Sequence, residues 1–406
     1  MYIRRHLERA IRAQSRFYGA VLVTGARQVG KTTLLCNAFK KAAYASFDDA
    51  VLLNAARQNP RVFVDSCAVP TFIDEIQYAP ELFSSMKLKI DGAKKKPLFF
   101  LSGSQQFQLM KNASDSLAGR VAVYNLLSLS QRELNKETFS QPFVPNQAFF
   151  AQTRRTKKLC ADALWQLIFR GTMPALCVNQ NMSAKQFYAN YTTTYIERDI
   201  RALERIADES KFLRFITVVA SRTAQLLNMS DLARDTDVSV STVERWLSLL
   251  QTSNLVTLVT PFYSNVSKRM LKAPKLYFLD TGLAAYLTGW DSPSSLERGI
   301  MSGAMFETFV VSEIFKSWYN SGDSHPPIYY YRDKDGREID LLIAVGDKLH
   351  PIEIKKHATP KASDTRHFAV LDKQSQYARG EGVVISTYGQ KIALDDKNFA
   401  LPVNGI

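Results

Sequence analysis

Cysteine is scarce in this sequence, which has four cysteines among its 406 residues, Cys36, Cys67, Cys160 and Cys177. No two of them stand at the short spacing that zinc sites use, and so small a number argues against a disulfide framework. A disulfide-stapled secreted protein and a zinc-finger protein are therefore both disfavoured. We expect the four side chains to be buried thiols.

Long apolar runs are also lacking. No segment approaches the roughly 18 apolar residues that a membrane-spanning helix requires, although hydrophobic residues make up 46% of the chain. Residues 1–7 are basic, but they lead into a mixed helical pattern rather than the apolar core of a signal peptide. The sequence thus predicts a soluble, cytoplasmic protein with no membrane partner.

Charge is strongly unbalanced toward the positive side. The chain has 52 lysine and arginine residues against 38 aspartate and glutamate residues, a formal net charge of +14. Such an excess favours an anionic partner, DNA or RNA first, but charge alone raises only non-specific affinity. A protein that is merely basic is an equal alternative.

The length of the chain exceeds what one hydrophobic core can support and predicts two to four domains.

The most informative stretch is Gly25-Ala26-Arg27-Gln28-Val29-Gly30-Lys31-Thr32, a Gly-x-x-x-x-Gly-Lys-Thr phosphate loop. It lies between an apolar β pattern at residues 20–24 and a helical pattern that begins at Thr33. Backbone N–H groups would surround a phosphate, Lys31 would add charge, and Thr32 would offer a hydroxyl to Mg²⁺. The implied ligand is ATP or GTP, and a chance glycine-rich turn is the weaker alternative. The predicted nucleotide-binding residues are Gly25, Ala26, Arg27, Gln28, Val29, Gly30, Lys31, Thr32 and Thr33.

A second strand pattern ends in two carboxylates. Residues 70–73 form an apolar run, and Asp74 and Glu75 follow it directly, which is the Walker B arrangement of phosphate-loop ATPases. We expect Asp74 to hold Mg²⁺ together with Thr32, and Glu75 to polarise the attacking water. The alternative is that the two acids merely begin a solvated loop.

Two further polar residues accompany strand patterns of the same region. The β pattern at residues 97–101 leads to Ser104, whose place after the end of a strand makes it a candidate sensor of the γ-phosphate. Arg120 stands at the junction between a helical pattern and the strand pattern at residues 121–124.

These motifs resemble the prokaryotic AAA-superfamily ATPases that carry a C-terminal domain of unknown function. The resembling stretches are residues 25–32, 72–76, 101–104 and 117–120 in the ATPase part, and 169–174, 195–199, 275–282 and 353–355 beyond it. The resemblance therefore covers nearly the whole chain. It implies that Ser104 is similar to the sensor-1 position and Arg120 to an arginine finger, which would act between copies of a homo-oligomer. A structural cap is the alternative role for Arg120.

The middle of the chain contains a winged-helix outline. A polar stretch at residues 141–158 marks a boundary. Residues 230–247 form two short helical patterns, and strand patterns at 255–259 and 275–279 follow on either side of a basic loop. A winged-helix module can either bind DNA or pack against protein, and the sequence favours neither role. In a DNA reader the contacting residues would be Ser241, Thr242, Arg245, Lys268 and Arg269.

The last region brings together a second set of chemical residues. Glu307 lies beside the apolar stripe of a helical pattern, Asp340 lies on a strand after a hairpin turn, and Glu353 and Lys355 share one face of the next strand. The arrangement resembles the PD-(D/E)XK nuclease fold, in which two carboxylates hold Mg²⁺ and a lysine activates water. Hard carboxylate oxygens and a nearby ammonium suit that chemistry. An inactive descendant that only binds is an equal alternative.

Together these observations predict an α/β protein with a P-loop NTPase core built on a parallel sheet, a helical and winged-helix middle and a small α/β end domain. The predicted domains are an AAA-type ATPase at residues 1–150, a helical connector or lid at 151–215, a winged-helix-like module at 216–290 and a nuclease-like domain at 291–406. Catalysis is assigned to Lys31, Glu75, Ser104 and Arg120. We predict an ATP-hydrolysing motor or switch that acts on nucleic acid. An ATP-gated switch for a protein partner and an ATPase-coupled nuclease are the alternatives.

Overall fold

The computed structural model of the protein describes residues 2–94, 96–103, 117–139, 141–152, 159–196, 209–263, 272–373 and 376–406. Three β-sheets follow one another along this part of the chain, with five, three and seven strands. Ser104, and the basic loop with Lys268 and Arg269, lie outside the described residues.

The first sheet is parallel throughout and has the strand order β2-β3-β4-β1-β5. Its strands are β1 (Ala20–Thr24), β2 (Ala43–Ser46), β3 (Thr71–Asp74), β4 (Phe99–Gly103) and β5 (Val121–Asn125). β1, β3 and β4 are buried along their whole length, as expected of apolar strands in a parallel sheet. The helices of this region are Leu7–Ser15, Lys31–Ala38, Ala50–Gln58, Pro60–Ser66 and Leu82–Asp91. Because all five strands run the same way, their C-terminal ends meet at one edge.

The middle of the chain is mainly helical. Its helices are Gln131–Leu134, Gln147–Gln152, Ala161–Arg170, Pro174–Val178, Ala184–Tyr191, Glu209–Ser221, Met229–Thr236 and Val240–Thr252, with a π-helical turn at Thr192–Ile196. The small antiparallel sheet has the order β6-β8-β7, with β6 (Gln225–Leu226), β7 (Val256–Val259) and β8 (Lys275–Phe278). The helix Val240–Thr252 begins at Ser239, whose hydroxyl accepts from the N–H of Thr242 at 3.2 Å.

The end of the chain is a mixed sheet beside a long helix. The helices are Thr281–Leu287, Pro293–Arg298 and Ser302–Asn320. The strands are β9 (Ile328–Arg332), β10 (Glu338–Val345), β11 (Lys348–Lys355), β12 (Ala378–Arg379), β13 (Gly382–Ser386), β14 (Ile392–Ala393) and β15 (Asn398–Pro402). Their order is β14-β15-β13-β11-β10-β9, and β12 pairs with β11. The long helix contacts both β8 and β11, so it joins the middle of the chain to its end.

The three regions share one hydrophobic core. A single cluster of buried apolar side chains includes Leu34 of the first region, Phe215 of the middle and Ile352 of the end. A second cluster, which includes Ile73 and Leu101, lies within the ATPase region. The regions are therefore packed against one another rather than strung on linkers.

The composition led to two expectations, that no helix spans a membrane and that the cysteines are buried. Among the described residues, no helix is both long and apolar enough to cross a membrane. The four cysteines are free thiols, but Cys36 and Cys160 are exposed. The expectation of burial is therefore wrong for these two, because each lies on the outer side of its helix or at a helix start, where little packs over it.

Candidate active site

The phosphate loop connects β1 to the helix Lys31–Ala38. Gly25 and Gly30 have φ angles of 144° and 94°, which glycine adopts far more readily than other residues. A Cβ atom at Gly25 would lie 2.2 Å from the carbonyl oxygen of Leu126, so the close approach of that segment also requires glycine. The helix begins directly after Gly30, and its first N–H groups have no partner within the helix. They provide the anion-binding end of the helix at the loop.

Lys31 is the buried cation of this loop. Its side chain is only 7% exposed, and its ammonium group donates to the carbonyl oxygens of Gly25 at 3.0 Å and Ala26 at 2.9 Å. A buried charge is tolerated only where polar atoms surround it in this way. The ammonium group is therefore held at the loop, where P-loop proteins bind the β- and γ-phosphates.

Thr32 and Asp74 are brought into direct contact. The Thr32 hydroxyl donates to Asp74 Oδ2 at 2.8 Å, although the two residues are 42 positions apart. Tyr44 donates to the same carboxylate oxygen at 3.2 Å. Asp74 ends β3, whose C-terminal end lies at the same sheet edge as the phosphate loop. A hydroxyl and a carboxylate side by side are hard oxygen donors, and they fit Mg²⁺.

Ser102 is a site residue that the sequence analysis missed. It lies on β4, which pairs Leu101 with Ile73 of β3, and its hydroxyl donates to Asp74 Oδ1. The residue predicted from the sequence to sense the γ-phosphate is Ser104, two positions later, which is outside the described residues. The signal that points to Ser102 is its position directly after the last apolar residue of a strand beside the Walker B strand.

Glu75 follows Asp74 in a strained backbone conformation. Its φ of 56° lies in the left-handed region, which a non-glycine residue occupies at a cost and which is common at functional sites. Its backbone N–H donates to Asp74 Oδ1 at 3.2 Å, and its carboxylate accepts from the side-chain amide of Gln77. The turn thus directs a half-buried carboxylate away from β3 while Asp74 stays with Thr32.

Arg5 supports the phosphate loop from behind, and nothing in the sequence pattern indicated it. Its buried guanidinium donates to the carbonyl oxygens of Val29 at 2.8 Å and Leu127 at 2.7 Å and to the carboxylate of Glu133 at 3.0 Å. Burial alone would raise the pKa of Glu133, but the charges of Arg5 and His6 outweigh it and hold that pKa below its usual value. The phosphate loop is therefore supported by the charged, hydrogen-bonded guanidinium group of Arg5.

Arg120 lies at the other end of the sheet. The N–H of Ala20, the first residue of β1, donates to the carbonyl oxygen of Arg120, whereas the phosphate loop follows the last residue of β1. Its guanidinium donates to both carboxylate oxygens of Asp91, at 2.6 and 3.0 Å. Arg120 therefore completes no nucleotide site within its own chain. It remains a prediction that the residue reaches the site of a neighbouring copy.

Two of the stretches that carried the family resemblance meet beside the phosphate loop. The N–H of Thr172 and the hydroxyl of Tyr188 donate to the carboxylate of Asp280 at 3.1 and 2.6 Å. The Thr172 hydroxyl in turn accepts from the ammonium group of Lys316 at 2.9 Å. This buried junction joins the middle of the chain to the long helix Ser302–Asn320, next to the loop.

The four residues of the predicted nuclease-like site do converge. β10 and β11 are antiparallel with Leu341 opposite Ile352, which places Asp340 across from Glu353. The N–H of Ile354 donates to Asp340 at 2.8 Å, and Lys355 donates to Glu353 at 2.6 Å.

Glu307 approaches the same cluster from the long helix. Burial, together with the charge of Asp340, raises the pKa of Glu353 to about 8 and that of Glu307 to about 7. Burial therefore favours the protonated form of both carboxyl groups, and their charged forms depend on the ammonium groups of Lys355 and Lys275.

A lysine from another sheet occupies the centre of this cluster. Lys275 of β8 is 4% exposed, and its ammonium lies 2.6 Å from Glu338, 3.4 Å from Glu307 and 3.8 Å from Asp340. Burial alone would lower the pKa of Lys275, but the three carboxylates outweigh it and raise that pKa. Within the described part of the chain, no group of three or more His, Cys, Asp and Glu side chains is placed to hold a metal ion. In this structure the positive charge among the carboxylates is that of Lys275.

The parallel sheet, the loop after its β1 and the contact between Thr32 and Asp74 define a P-loop ATPase. Comparison with protein families agrees, since an AAA domain matches residues 18–135. Two domains of unknown function match the remainder, DUF8612 at residues 161–294 and DUF4143 at residues 302–406.

Two curated relatives are uncharacterized proteins of Mycobacterium tuberculosis and Mycobacterium bovis. Each is 31% identical over 355 residues, which covers 87% of this chain and 74% of the relative. The chain belongs to the family of these two mycobacterial proteins.

Two solved structures match part of this chain. A Walker-type ATPase of Pyrococcus abyssi is 13% identical, with a TM-score of 0.45, and the match covers 69% of this chain and 94% of that one. A RuvB variant of Thermotoga maritima is 16% identical, with a TM-score of 0.30, over 66% of this chain and 92% of that one.

Proposed function

We propose that the protein hydrolyses ATP at the phosphate loop and uses the cycle as a motor or switch on nucleic acid. The observation that carries the ATPase part is the contact between Thr32 and Asp74 at the sheet edge where Lys31 and Glu75 also lie. Lys31 binds the β- and γ-phosphates, and Thr32 and Asp74 hold Mg²⁺. Glu75 polarises the attacking water by accepting a hydrogen bond from it and then takes up its proton. Held by Thr32 and Asp74, Mg²⁺ would supply positive charge that offsets the charge of the phosphates.

The charge distribution supports nucleic acid as the target and indicates which half of the chain meets it. Residues 1–215 hold 31 of the 52 lysine and arginine residues but only 17 of the 38 aspartate and glutamate residues. Residues 216–406 hold 21 of each and are neutral. The whole excess of +14 therefore belongs to the ATPase and connector regions. Phosphate backbones are bound through such positive surfaces.

The winged-helix-like module has a packing role in this proposal. Its sheet joins the end of the chain through Lys275, and Thr223 and Thr308 share a hydrogen bond of 2.8 Å between the module and the long helix. Ser241 and Arg245 are exposed on the second helix, but the module lies in the neutral half of the chain. Its contacts are those of a protein-packing element more than of a DNA reader.

The test of the proposed target is ATP turnover measured alone and with single-stranded DNA, duplex DNA and RNA. We expect one of these nucleic acids to raise turnover, because a motor couples hydrolysis to its track. A rate that no nucleic acid changes, in a protein that does hydrolyse ATP, would support the ATP-gated switch for a protein partner instead.

A metal-dependent nuclease is the second candidate for the end of the chain, and the convergence of Asp340 and Glu353 favours it. Lys275 opposes it, because an ammonium group already supplies the positive charge that a metal ion would bring. We propose that this cluster is a closed charge network in the folded chain. DNA cleavage with Mg²⁺ or Mn²⁺ that is lost in Asp340→Ala and Lys355→Ala would contradict this and establish the nuclease.

Replacing Lys275 with Met should leave the half-buried carboxylates of Glu307, Glu338 and Asp340 without the cation they share. The loss of one partner of a buried ion pair costs about 3–5 kcal/mol, so a lower melting temperature is expected by differential scanning fluorimetry without nucleotide. Because Mn²⁺ could then occupy the vacated place, it should stabilise Lys275→Met while leaving the parent unchanged. Lys355→Met is the matched control, since Lys355 is half-buried and forms its ion pair with Glu353. Equal Mn²⁺ effects in parent and Lys275→Met would show that Lys275 does not exclude the ion.

A further inference from the structure

Gln77 lies two residues after Glu75, on the short turn that follows β3. This is a single 3₁₀ turn at Ile76–Tyr78, and it contacts the neighbouring strand β4. Ile76 before Gln77 and Ala79 after it are fully buried in the second hydrophobic cluster, which lies within the ATPase region. The backbone that carries Gln77 is therefore anchored in the core on both sides.

The side chain of Gln77 is buried as well. It is only 8% exposed, and its amide nitrogen donates to Oε2 of Glu75. The carbonyl oxygen of the same amide is buried and, among the described residues, has no hydrogen-bond partner. A buried polar atom without a partner destabilises the folded state. Since an apolar side chain of this size would avoid that penalty, stability does not account for an amide at this position.

The carboxylate of Glu75 is held through one of its two oxygens. Oε2 accepts from Gln77, whereas no described residue donates to Oε1. Glu75 is half-buried, and its left-handed backbone, with a φ of 56°, turns the side chain out of the line of β3. One carboxylate oxygen is therefore fixed by the protein, and the other is left to accept from water.

We propose that Gln77 is the positioning residue of Glu75, which holds its carboxylate in place for the attacking water. The proposal rests on the proposed hydrolysis of ATP and adds a residue to that site. A glutamate side chain has several rotamers, and it can take up the proton of the water only in those that bring an oxygen within hydrogen-bond reach. The hydrogen bond from a fixed, buried amide selects one arrangement before ATP binds. Catalytic rate depends strongly on such prior orientation.

The competing role for the same contact is a restraint that keeps Glu75 away from the water. ATP binding would then have to break the hydrogen bond, which requires an element with two arrangements. Gln77 and Glu75 are two residues apart on one turn that is anchored in the core, so the amide has no separate element on which to withdraw. The geometry favours positioning, and the two roles predict opposite changes in ATP turnover.

The test is Gln77→Met, which keeps the length of the side chain and removes the donor together with the carbonyl oxygen that has no partner. We expect kcat for ATP to fall about 10- to 100-fold, the range for a misplaced catalytic group. KM and the affinity for a fluorescent ATP analogue should stay unchanged, because Gln77 acts on Glu75 and not on ATP. The melting temperature without nucleotide should not fall. The matched control is Gln58→Met, at the exposed end of the helix Ala50–Gln58, and it should behave as the parent does.

Two further variants show whether Gln77 acts through Glu75. In single-turnover measurements, Gln77→Met should slow hydrolysis in the parent but add little to the loss in Glu75→Gln, since residues that act as one unit are not additive. Gln77→Glu keeps the shape of the side chain and replaces the donor by an acceptor. It should lower kcat as Gln77→Met does, and it tests the donor independently if Gln77→Met is poorly folded.

Parental turnover in both Gln77 variants would overturn the assignment, and raised turnover would establish the restraint instead. An equal further loss in the Glu75→Gln background would show that Gln77 acts on something other than Glu75. A lower melting temperature, with similar losses in kcat and in nucleotide affinity, would show a merely structural role. In all these cases the parent still hydrolyses ATP and the proposed function stands. If the parent hydrolyses no ATP, the proposed function fails and the assignment fails with it.

Discussion

Replacing Glu75 with Gln is expected to leave ATP binding intact and to slow ATP turnover by about 10²–10⁴-fold, the range for loss of a general base. The amide keeps the size of the side chain and its contact with Gln77, but it cannot accept a proton from the attacking water. Lys31→Ala should instead weaken ATP binding itself, because the proposed contact of Lys31 with the phosphates forms already in the ground state. Equilibrium binding of a fluorescent ATP analogue and phosphate release would separate the two effects.

The control for Glu75 is Glu81→Gln. Glu81 is exposed in the same region and pairs loosely with Arg57 at 3.8 Å, so its replacement should change neither binding nor turnover. If Glu75→Gln hydrolyses ATP at the parental rate, Glu75 does not orient the water, and another group at the sheet edge does so.

Arg120→Ala is expected to lower turnover by a factor on the order of 10³, as loss of an arginine finger does. Since Arg120 lies at the opposite end of the sheet from its own phosphate loop, it can act only on the site of a neighbouring copy. Mixing Arg120→Ala protein with Lys31→Ala protein should therefore restore part of the activity. Mixed interfaces pair an intact site with an intact arginine, and turnover against the mixing ratio measures this.

The pair with Asp91 offers a second way to decide the role of Arg120. If the arginine only anchors its own chain through Asp91, then Asp91→Asn should lower activity as much as Arg120→Ala does. If it acts between copies, Asp91→Asn should retain most activity. Absence of any restoration on mixing, with oligomerisation intact by light scattering, would count against a shared site.

The nucleotide site was largely predictable because its parts are contiguous in the sequence. The glycines and Lys31 stand within one loop, and the parallel sheet places the ends of neighbouring strands at one edge, which brings Asp74 to Thr32. Arg5 was not predictable, since its four hydrogen-bond partners lie between 24 and 128 positions away. Ser102 was missed for a different reason. The strand continues two residues beyond the apolar run, so the end of the pattern did not mark the end of the strand.

In the cluster at the end of the chain, too, a contact between neighbouring strands was predictable and a contact from a distant element was not. Antiparallel pairing of two successive strands made the meeting of Asp340 and Glu353 predictable. Lys275 comes from a different sheet, and no local pattern could place it among the carboxylates. The strand itself departs from simple alternation, because β10 shifts register between Ile339 and Leu342. The domain boundaries at residues 150, 215 and 290 stay predictions, as does the role of Ser104.

Hydrolysis of ATP at the phosphate loop can be measured directly. The most direct measurement is the rate of phosphate release from saturating ATP with Mg²⁺, for the parent protein and Lys31→Ala side by side. We expect steady release by the parent that disappears when Mg²⁺ is chelated, and release by Lys31→Ala no faster than in buffer. ATP hydrolysis at this loop would be contradicted if the parent released no phosphate, with or without nucleic acid. It would also be contradicted if both proteins released phosphate at the same rate.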